Sequence, residues 1–208
     1  MGGSHHRQTL RIRSPSTFAV RWLIPRLASF HRANPNIDVS LTASSAPLDF
    51  AKEEIDAGVE LGNGQWKDMK SMKLVANVLR PVVSPKRFAD LKQLHKPADL
   101  AGKTLLHSLA RFEDWDLWLK AAGVSGLNPF MGMKYETSLL AYQAAAEGHG
   151  VAVAQEALVE RELAEGDLVF PFDFGLDRGD WTYYFSWPMA RPESVALQVF
   201  RDWLRANS

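Results

Sequence analysis

Cysteine is missing altogether from the 208 residues, so the chain can form no disulfide framework, offers no thiolate nucleophile and holds no Cys-ligated metal. That absence suits a reducing compartment, and the expectation is a cytoplasmic protein. No stretch approaches the roughly 18 uninterrupted apolar residues of a membrane-spanning helix, so no membrane partner is expected. An excess of either charge is also lacking: 24 basic residues face 24 acidic ones, which leaves no overall attraction to a phosphate backbone or an anionic lipid surface. Neither repeats nor low-complexity tracts occur. Catalytic signatures are missing as well, with no HExxH, GxSxG, P-loop or strand-linked GxGxxG. His31, His95, His107 and His149 lie far apart without metal-ligand spacing. The expectations are therefore no enzyme, no cofactor and no metal.

What is present is an ordered alternation of short strands and helices. Leu10 and Ile12 point to one face of a first strand, and Ile37 to Thr42 alternates in the same way. Between them Phe18, Trp22, Leu23, Leu27 and Phe30 recur at helical intervals. Ser16 or Thr17 is placed to cap this helix, Pro25 should bend it near its start, and Asn34-Pro35-Asn36 ends it. A second unit follows, with a helix expected over 46–56, a short strand "VEL" and then "GNG". Strand, helix, strand in succession implies parallel pairing, because parallel neighbours need a long connection.

Leu74 to Val83 reads as a strand running into "RPVVSP", where the chain crosses over. The pattern then restarts with a helix over 85–91, a helical turn at "PADLAGK", the strand "TLLHS", a helix over 114–122 and the strand "FMGMKYE". Thr137 caps a helix reaching Glu147, "GHGVAVA" gives a strand and 156–165 another helix. The strand "WTYYFSWP" and a last helix from about Pro192 to Ala206, with Val195, Val199, Phe200, Trp203 and Leu204 on its apolar face, close the chain. The fold class expected is α/β, with two Rossmann-like lobes joined by two crossover strands. Residues 10–83 with 169–208 form lobe I and 84–168 form lobe II, while 1–9, opening with "MGGSHH", read as a tag or linker remnant.

Hydroxyls and amides collect where strands end. Ser14, Ser16 and Thr17 follow the first strand, Ser44 and Ser45 the second, and Asn63 the third; His107 and Ser108 end a strand of the second lobe, and Thr137 with Ser138 open its helix. Open α/β sheets take ligands outside the carboxyl ends of their strands, beside helix N-termini. Any one of these serines and threonines is first a cap, and only the grouping carries weight. Trp115, at a strand end, can line a cleft mouth or sit in the core, and Tyr184 is ambiguous in the same way.

The runs "FAVRWLIPRLASFHRANPNIDVSL", "DFAKEEIDAGVELGNGQW", "LRPVVSP", "PADLAGKTLLHS", "WDLWLKAAGV", "LAYQAAAEGHGVAVA" and "VFRDWL", in this order, resemble the effector-binding domain of LysR-type transcriptional regulators, in the glycine cleavage activator-like subgroup. The resemblance covers nearly all of Leu10 to Arg205. It implies a type 2 periplasmic-binding-protein-like fold with a small polar metabolite, such as an amino acid, a carboxylate or a cell-wall fragment, bound in the cleft between the lobes. The positions it favours are Thr17, Phe18, Ser44, His107, Ser108 and Thr137; Ser16, Ser45, Asn63, Trp115, Ser138 and Tyr184 complete the candidate set. It also implies homodimers through lobe I, with Trp22, Leu27 and Phe30 as candidates for that surface, tetramers in the full-length protein, and promoter DNA contacted only through a winged helix-turn-helix upstream of this region. One departure stands out: Glu60 replaces an arginine common in the subgroup, so ligand identity does not transfer. The rival readings are a free-standing solute-binding protein of a transporter, which would share the fold, and an enzyme on that fold, for which no nucleophile and base pair is visible.

Overall fold

The computed structural model describes residues 7–208; the expected remnant Met1 to His6 lies outside the described residues. In chain order the elements are β1 (Gln8–Ser14), α1 (Ser16–Phe18), a π-helical stretch (Ala19–Leu23), α2 (Ile24–Ala33), β2 (Ile37–Ala43), β3 (Ala57–Gly62), β4 (Met69–Lys73), β5 (Val78–Val82) and β6 (Leu105–Ser108). There follow α3 (Asp114–Ala121), β7 (Met133–Tyr135), α4 (Ser138–Ala146), β8 (Val151–Gln155), α5 (Glu160–Glu165), β9 (Leu176–Asp177), β10 (Thr182–Pro188) and α6 (Val195–Asn207). Gln8 and Thr9, expected in the remnant, instead pair with Ile37 and Asp38 in the first ladder.

The chain divides into unit 1, Met1–Ala76 with Gly179–Ser208, and unit 2, Asn77–Arg178. The expected breaks stood at 83/84 and 168/169; β5 and residues 169–178 fall in unit 2, where β5 pairs with β8 and β9 and Val83 bridges to Val169.

Unit 1 holds a sheet of order β2-β1-β3-β10-β4. β1 runs parallel to β2 and β3, as the alternation implies, whereas β10 is antiparallel to β3 and β4. The core lies between one sheet face and the helices. Phe18 stacks on Trp22 with ring centroids 5.0 Å apart and meets Tyr183 at 4.8 Å; Phe30 and Phe185 both contact Phe200 of α6. Pro25 does what its missing N–H requires, but as a π turn: Ile24 N–H reaches five residues back to the Ala19 carbonyl, and the Arg26 guanidinium donates to the Trp22 carbonyl. Pro15, not Ser16 or Thr17, occupies the cap position, and no side chain caps the turn.

Unit 2 repeats the plan with sheet order β7-β6-β8-β5-β9, β6 parallel to β7 and β8, and β5 antiparallel to β8 and β9. Its core gathers Leu79, Leu105, Val151 and Val153 from the sheet with Trp115, Trp118 and Leu119 from α3.

Two expected helices are not formed. Over 46–56 the chain makes a single turn, with the Asp49 carboxylate accepting the N–H groups of Ala51 and Lys52 as a helix cap would, and does not continue into a helix. Over 85–91 the Ser84 hydroxyl accepts Arg87 N–H and the chain makes only turns before a short 3-10 piece at Leu91–Gln93. The helix expected over 156–165 is broken at Val159, whose side chain turns fully into the core. Thr137 does cap α4, accepting Leu140 N–H at 3.4 Å. In α6 the buried face is Ala196, Leu197, Phe200 and Leu204, with Val199 and Trp203 half-buried at its side, and Val195, in the first turn after the Ser194 cap, is 65% exposed. Phe200→Ala should therefore cost about 3–5 kcal/mol and Val195→Ala within about 0.5 kcal/mol, read by urea unfolding.

Candidate functional site

In unit 1 the carboxyl ends of β2, β1 and β3 lie side by side. Ser44 N–H donates to the Ser14 carbonyl at 3.0 Å, which fixes the segment after β2 against the start of the helix. Ser16 and Ser44 are half-buried, Ser45 is exposed and Thr17 is buried. The Ser44 hydroxyl accepts Ala46 N–H, and exposed Asn63 uses its side-chain carbonyl to hold Gln65 N–H in the turn after β3. Tyr184, directly across from Glu60 on β10, packs edge-on to Trp66 and donates its hydroxyl to the Asp180 carbonyl at 2.8 Å. Gly64 is required there: its φ is +80° and a β-carbon would stand 2.5 Å from the Tyr184 ring. Glu60 accepts Leu48 N–H at 3.2 Å, and burial pushes its carboxyl above the usual range despite that bond and the nearby Arg13.

In unit 2 the carboxyl end of β6 and the start of α4 adjoin. His107 is buried and its Nε2 lies 2.8 Å from the Met131 carbonyl; a carbonyl only accepts, so Nε2 carries the proton. Burial pushes this imidazole below its usual range, against the bond to Met131, and Lys134 lowers it further. Among the described residues the buried Ser108 hydroxyl has no hydrogen-bond partner, and it borders a water-sized chamber shared with Arg111, Asp114 and Trp115. Thr137 is half-buried and Ser138 buried.

Phe18 is 0% and Trp115 2% exposed; the first is stacked in the unit 1 core, and the second donates its indole N–H to the Leu106 carbonyl at 3.0 Å and borders the same chamber as Ser108. Sequence reasoning missed Arg111 and Asp114, a two-pronged ion pair (2.6 and 3.2 Å) with Arg178 3.9 Å from the same carboxylate. Burial raises the Asp114 carboxyl, and the arginines offset this in part. The only signal was an Arg three residues ahead of an Asp in a first helical turn, which reads equally as a surface pair. Among the described residues no group of three His, Cys, Asp or Glu side chains is placed to hold a metal ion, and no helix is long and apolar enough to cross a membrane.

Two α/β units with mixed sheets, crossed twice by the chain, define the type 2 periplasmic-binding-protein-like class. The profile of the LysR substrate binding domain matches residues 3–208, and the chain belongs to that family. It is 36% identical over 203 residues to the HTH-type transcriptional activator AmpR of Pseudomonas aeruginosa, covering 97% of this chain and 67% of that protein. With the glycine cleavage system transcriptional activator of Escherichia coli (strain K12) it shares 34% identity over 192 residues, 92% of this chain and 62% of the relative. The chain thus spans about two thirds of the length of these relatives. The effector domain of the Pseudomonas aeruginosa AmpR superposes with a TM-score of 0.82 at 34% identity, covering 95% of this chain and 94% of that one. The CrgA regulatory domain from Neisseria meningitidis, at 19% identity and a TM-score of 0.76, shares the fold.

The His107 shift fixes a pH dependence. With the folded value below about 6.5, the unfolded chain takes up the proton first as pH falls. The His107 contribution is therefore complete above about pH 6.5 and is lost as pH falls through the folded value. Glu60 and Asp114, shifted up, act in the opposite sense. The difference in melting temperature between wild type and His107→Gln should shrink steadily as pH is lowered from 7; a flat difference would remove the imidazole from the account.

Proposed function

We propose that this chain is the effector-sensing region of a cytoplasmic LysR-type transcription regulator, binding a small polar metabolite through the strand-end rims of its two units and performing no chemistry on it. The observation that carries this is the collection of half-buried and exposed polar groups, Ser16, Ser44, Ser45 and Asn63, beyond the carboxyl ends of three adjacent strands, where open α/β sheets bind ligands. Thr17, Tyr184, His107, Ser108, Thr137 and Ser138 complete the contacts. Membership of a family whose solved relatives include effector domains supports the reading. In the whole regulator, promoter DNA is contacted through a winged helix-turn-helix outside this region, and the ligand acts only through its differential affinity for two states.

A metabolite screen by thermal shift tests the site. A ligand at 100 times its Kd adds roughly 2.7 kcal/mol, a rise of about 5–10 °C for a chain of this size. Thr17→Val and Ser44→Ala should each remove most of the rise. Thr137→Ala costs about 1 kcal/mol through its cap, so it is compared with Thr137→Ser. Hits that shift all three rim variants as they shift wild type would overturn the placement.

Homodimerisation through unit 1, and tetramers in the whole regulator, also belong to this reading, but not through the residues first expected. Trp22, Leu27 and Phe30 are buried, Phe30 against Phe200 and Trp203 of α6, and the large apolar side chains left outward on that helical segment are Val20 at 45% and Ile24 at 50% exposed. These lie four residues apart, on one face. Val20→Glu with Ile24→Glu should turn a dimer into a monomer by sedimentation equilibrium; an unchanged dimer would place the contact elsewhere.

A further inference from the structure

A cavity of about 340 Å³ opens on unit 1 between Leu48–Ala51, Lys67–Met69 and the Pro188–Arg191 segment. It is separate from the strand-end rim. Along β10, Thr182 pairs with Gly62 near the rim and Pro188 pairs with Met69 at the cavity, a six-residue run that spans about 20 Å. Its volume lies in the lower part of the roughly 300–1,000 Å³ range of small-molecule sites. The walls are largely apolar, supplied by Leu48, Phe50, Met69 and Pro188.

The charges at its edge do not balance. Arg191 donates to the Ile55 carbonyl at 3.3 Å and to the Phe50 carbonyl, and has no carboxylate partner among the described residues. By contrast Arg11, Arg13 and Arg201 of the same unit are each ion-paired. Each Arg191 terminal nitrogen keeps a further N–H after bonding a carbonyl. Lys67 is exposed and likewise forms no ion pair among the described residues. On the acidic side Asp49 is matched by Lys52 at 3.1 Å and by backbone N–H groups, which hold its carboxyl below the usual range. Asp68 alone is uncompensated. It sits in the left-handed region at φ +62°, with its carbonyl accepting Met189 N–H, so the turn that forms this edge is pinned to the segment opposite. Two cations against one free carboxylate leave an apolar chamber with a positive mouth.

We propose that this cavity is a second ligand site, distinct from the effector rim, that takes a small carboxylate with an apolar body. The body packs on Phe50, Met69, Leu48 and Pro188, and the carboxylate meets the guanidinium of Arg191 and the ammonium of Lys67. Ligand charge decides the matter: an amine of the same shape meets the surplus positive charge, and a neutral amide forgoes the charge-assisted bonds.

The test titrates this chain with 4-phenylbutyrate, 4-phenylbutylamine and 4-phenylbutanamide, following amide NMR shifts and binding heat. The acid should move the amides of Ala51, Met69 and Ala190 and bind about ten-fold or more tighter than the amide, with the amine weakest. Arg191→Gln should weaken the acid by a similar factor. Because that change also frees two carbonyls, Ala190→Trp is the second variant: it leaves the guanidinium in place, fills the mouth and should abolish the shifts in a folded protein. Thr17→Val should leave binding of the acid unchanged. No shift at about 10 mM acid, an amine that binds as well as the acid, or unaltered binding to Ala190→Trp would overturn the second site. Loss of binding in Thr17→Val would move the probe to the rim and overturn it too.

Discussion

Two parallel strands cannot be joined by a tight turn, and most of this structure follows from that constraint. β1 lies parallel to both β2 and β3, so their connections leave from a common edge, and β6 stands in the same relation to β7 and β8. At that edge the backbone has run out of ladder partners and must find others. Ser44 N–H takes the Ser14 carbonyl, Ala46 N–H takes the Ser44 hydroxyl, and Leu140 N–H takes the Thr137 hydroxyl. The Ser44 and Thr137 side chains at these edges are thus occupied in completing the backbone.

Antiparallel strands do the complementary work. β10 is buried along its whole length, wedged between β3 and β4, and sends Tyr183 and Phe185 toward the helices. Phe18 packs on Tyr183 immediately after Thr17, so the first residues beyond β1 are held by an aromatic contact to a strand from the other end of the chain. A short helical turn without a side-chain cap is kept in place in this way by tertiary packing instead of local propensity.

Periodicity made much of this readable in advance. The three- and four-residue spacing within Phe18, Trp22, Leu23, Leu27 and Phe30 identified a buried stripe, and Thr137 announced α4. What pattern alone could not separate was the depth of each candidate: Ser16 is half-buried while Thr17 and Phe18 beside it are buried, and Ser44 is half-buried while Ser45 is exposed. Over 46–56 and 85–91 the capping signals are present and used, Asp49 and Ser84 each accepting first-turn N–H groups, yet only turns follow, because a cap starts a helix without supplying the apolar stripe that sustains it. The antiparallel placement of β10 was equally invisible, since a strand buried along its whole length carries no alternation to mark direction or neighbours. The hydroxyl-rich strand ends were legible as a group; Arg111 and Asp114, coupled by tertiary burial, were not.

Those buried ions also bear on how such a rim can vary. Removing charges from water costs several kcal/mol per ion, which a good pair recovers only in part, so net stability is a poor reason for Arg13 or Asp114. Their geometry suggests placement. Arg13, on β1, ties Glu53 and the Ala46 carbonyl, drawing the irregular segment between β2 and β3 down onto the sheet. Arg111 clamps Asp114 and so joins the turn after β6 to the start of α3. In both units the tied segment is one that a parallel strand has just released. Backbone held by such directional contacts stays put when a neighbouring side chain is exchanged, which lets the same frame carry a different charge at a position such as Glu60. That carboxyl is pushed up by burial and only partly relieved by Leu48 N–H and Arg13; its bond to Leu48 N–H is a tie that such an exchange removes, while Arg13 keeps its hold on Glu53 and the Ala46 carbonyl.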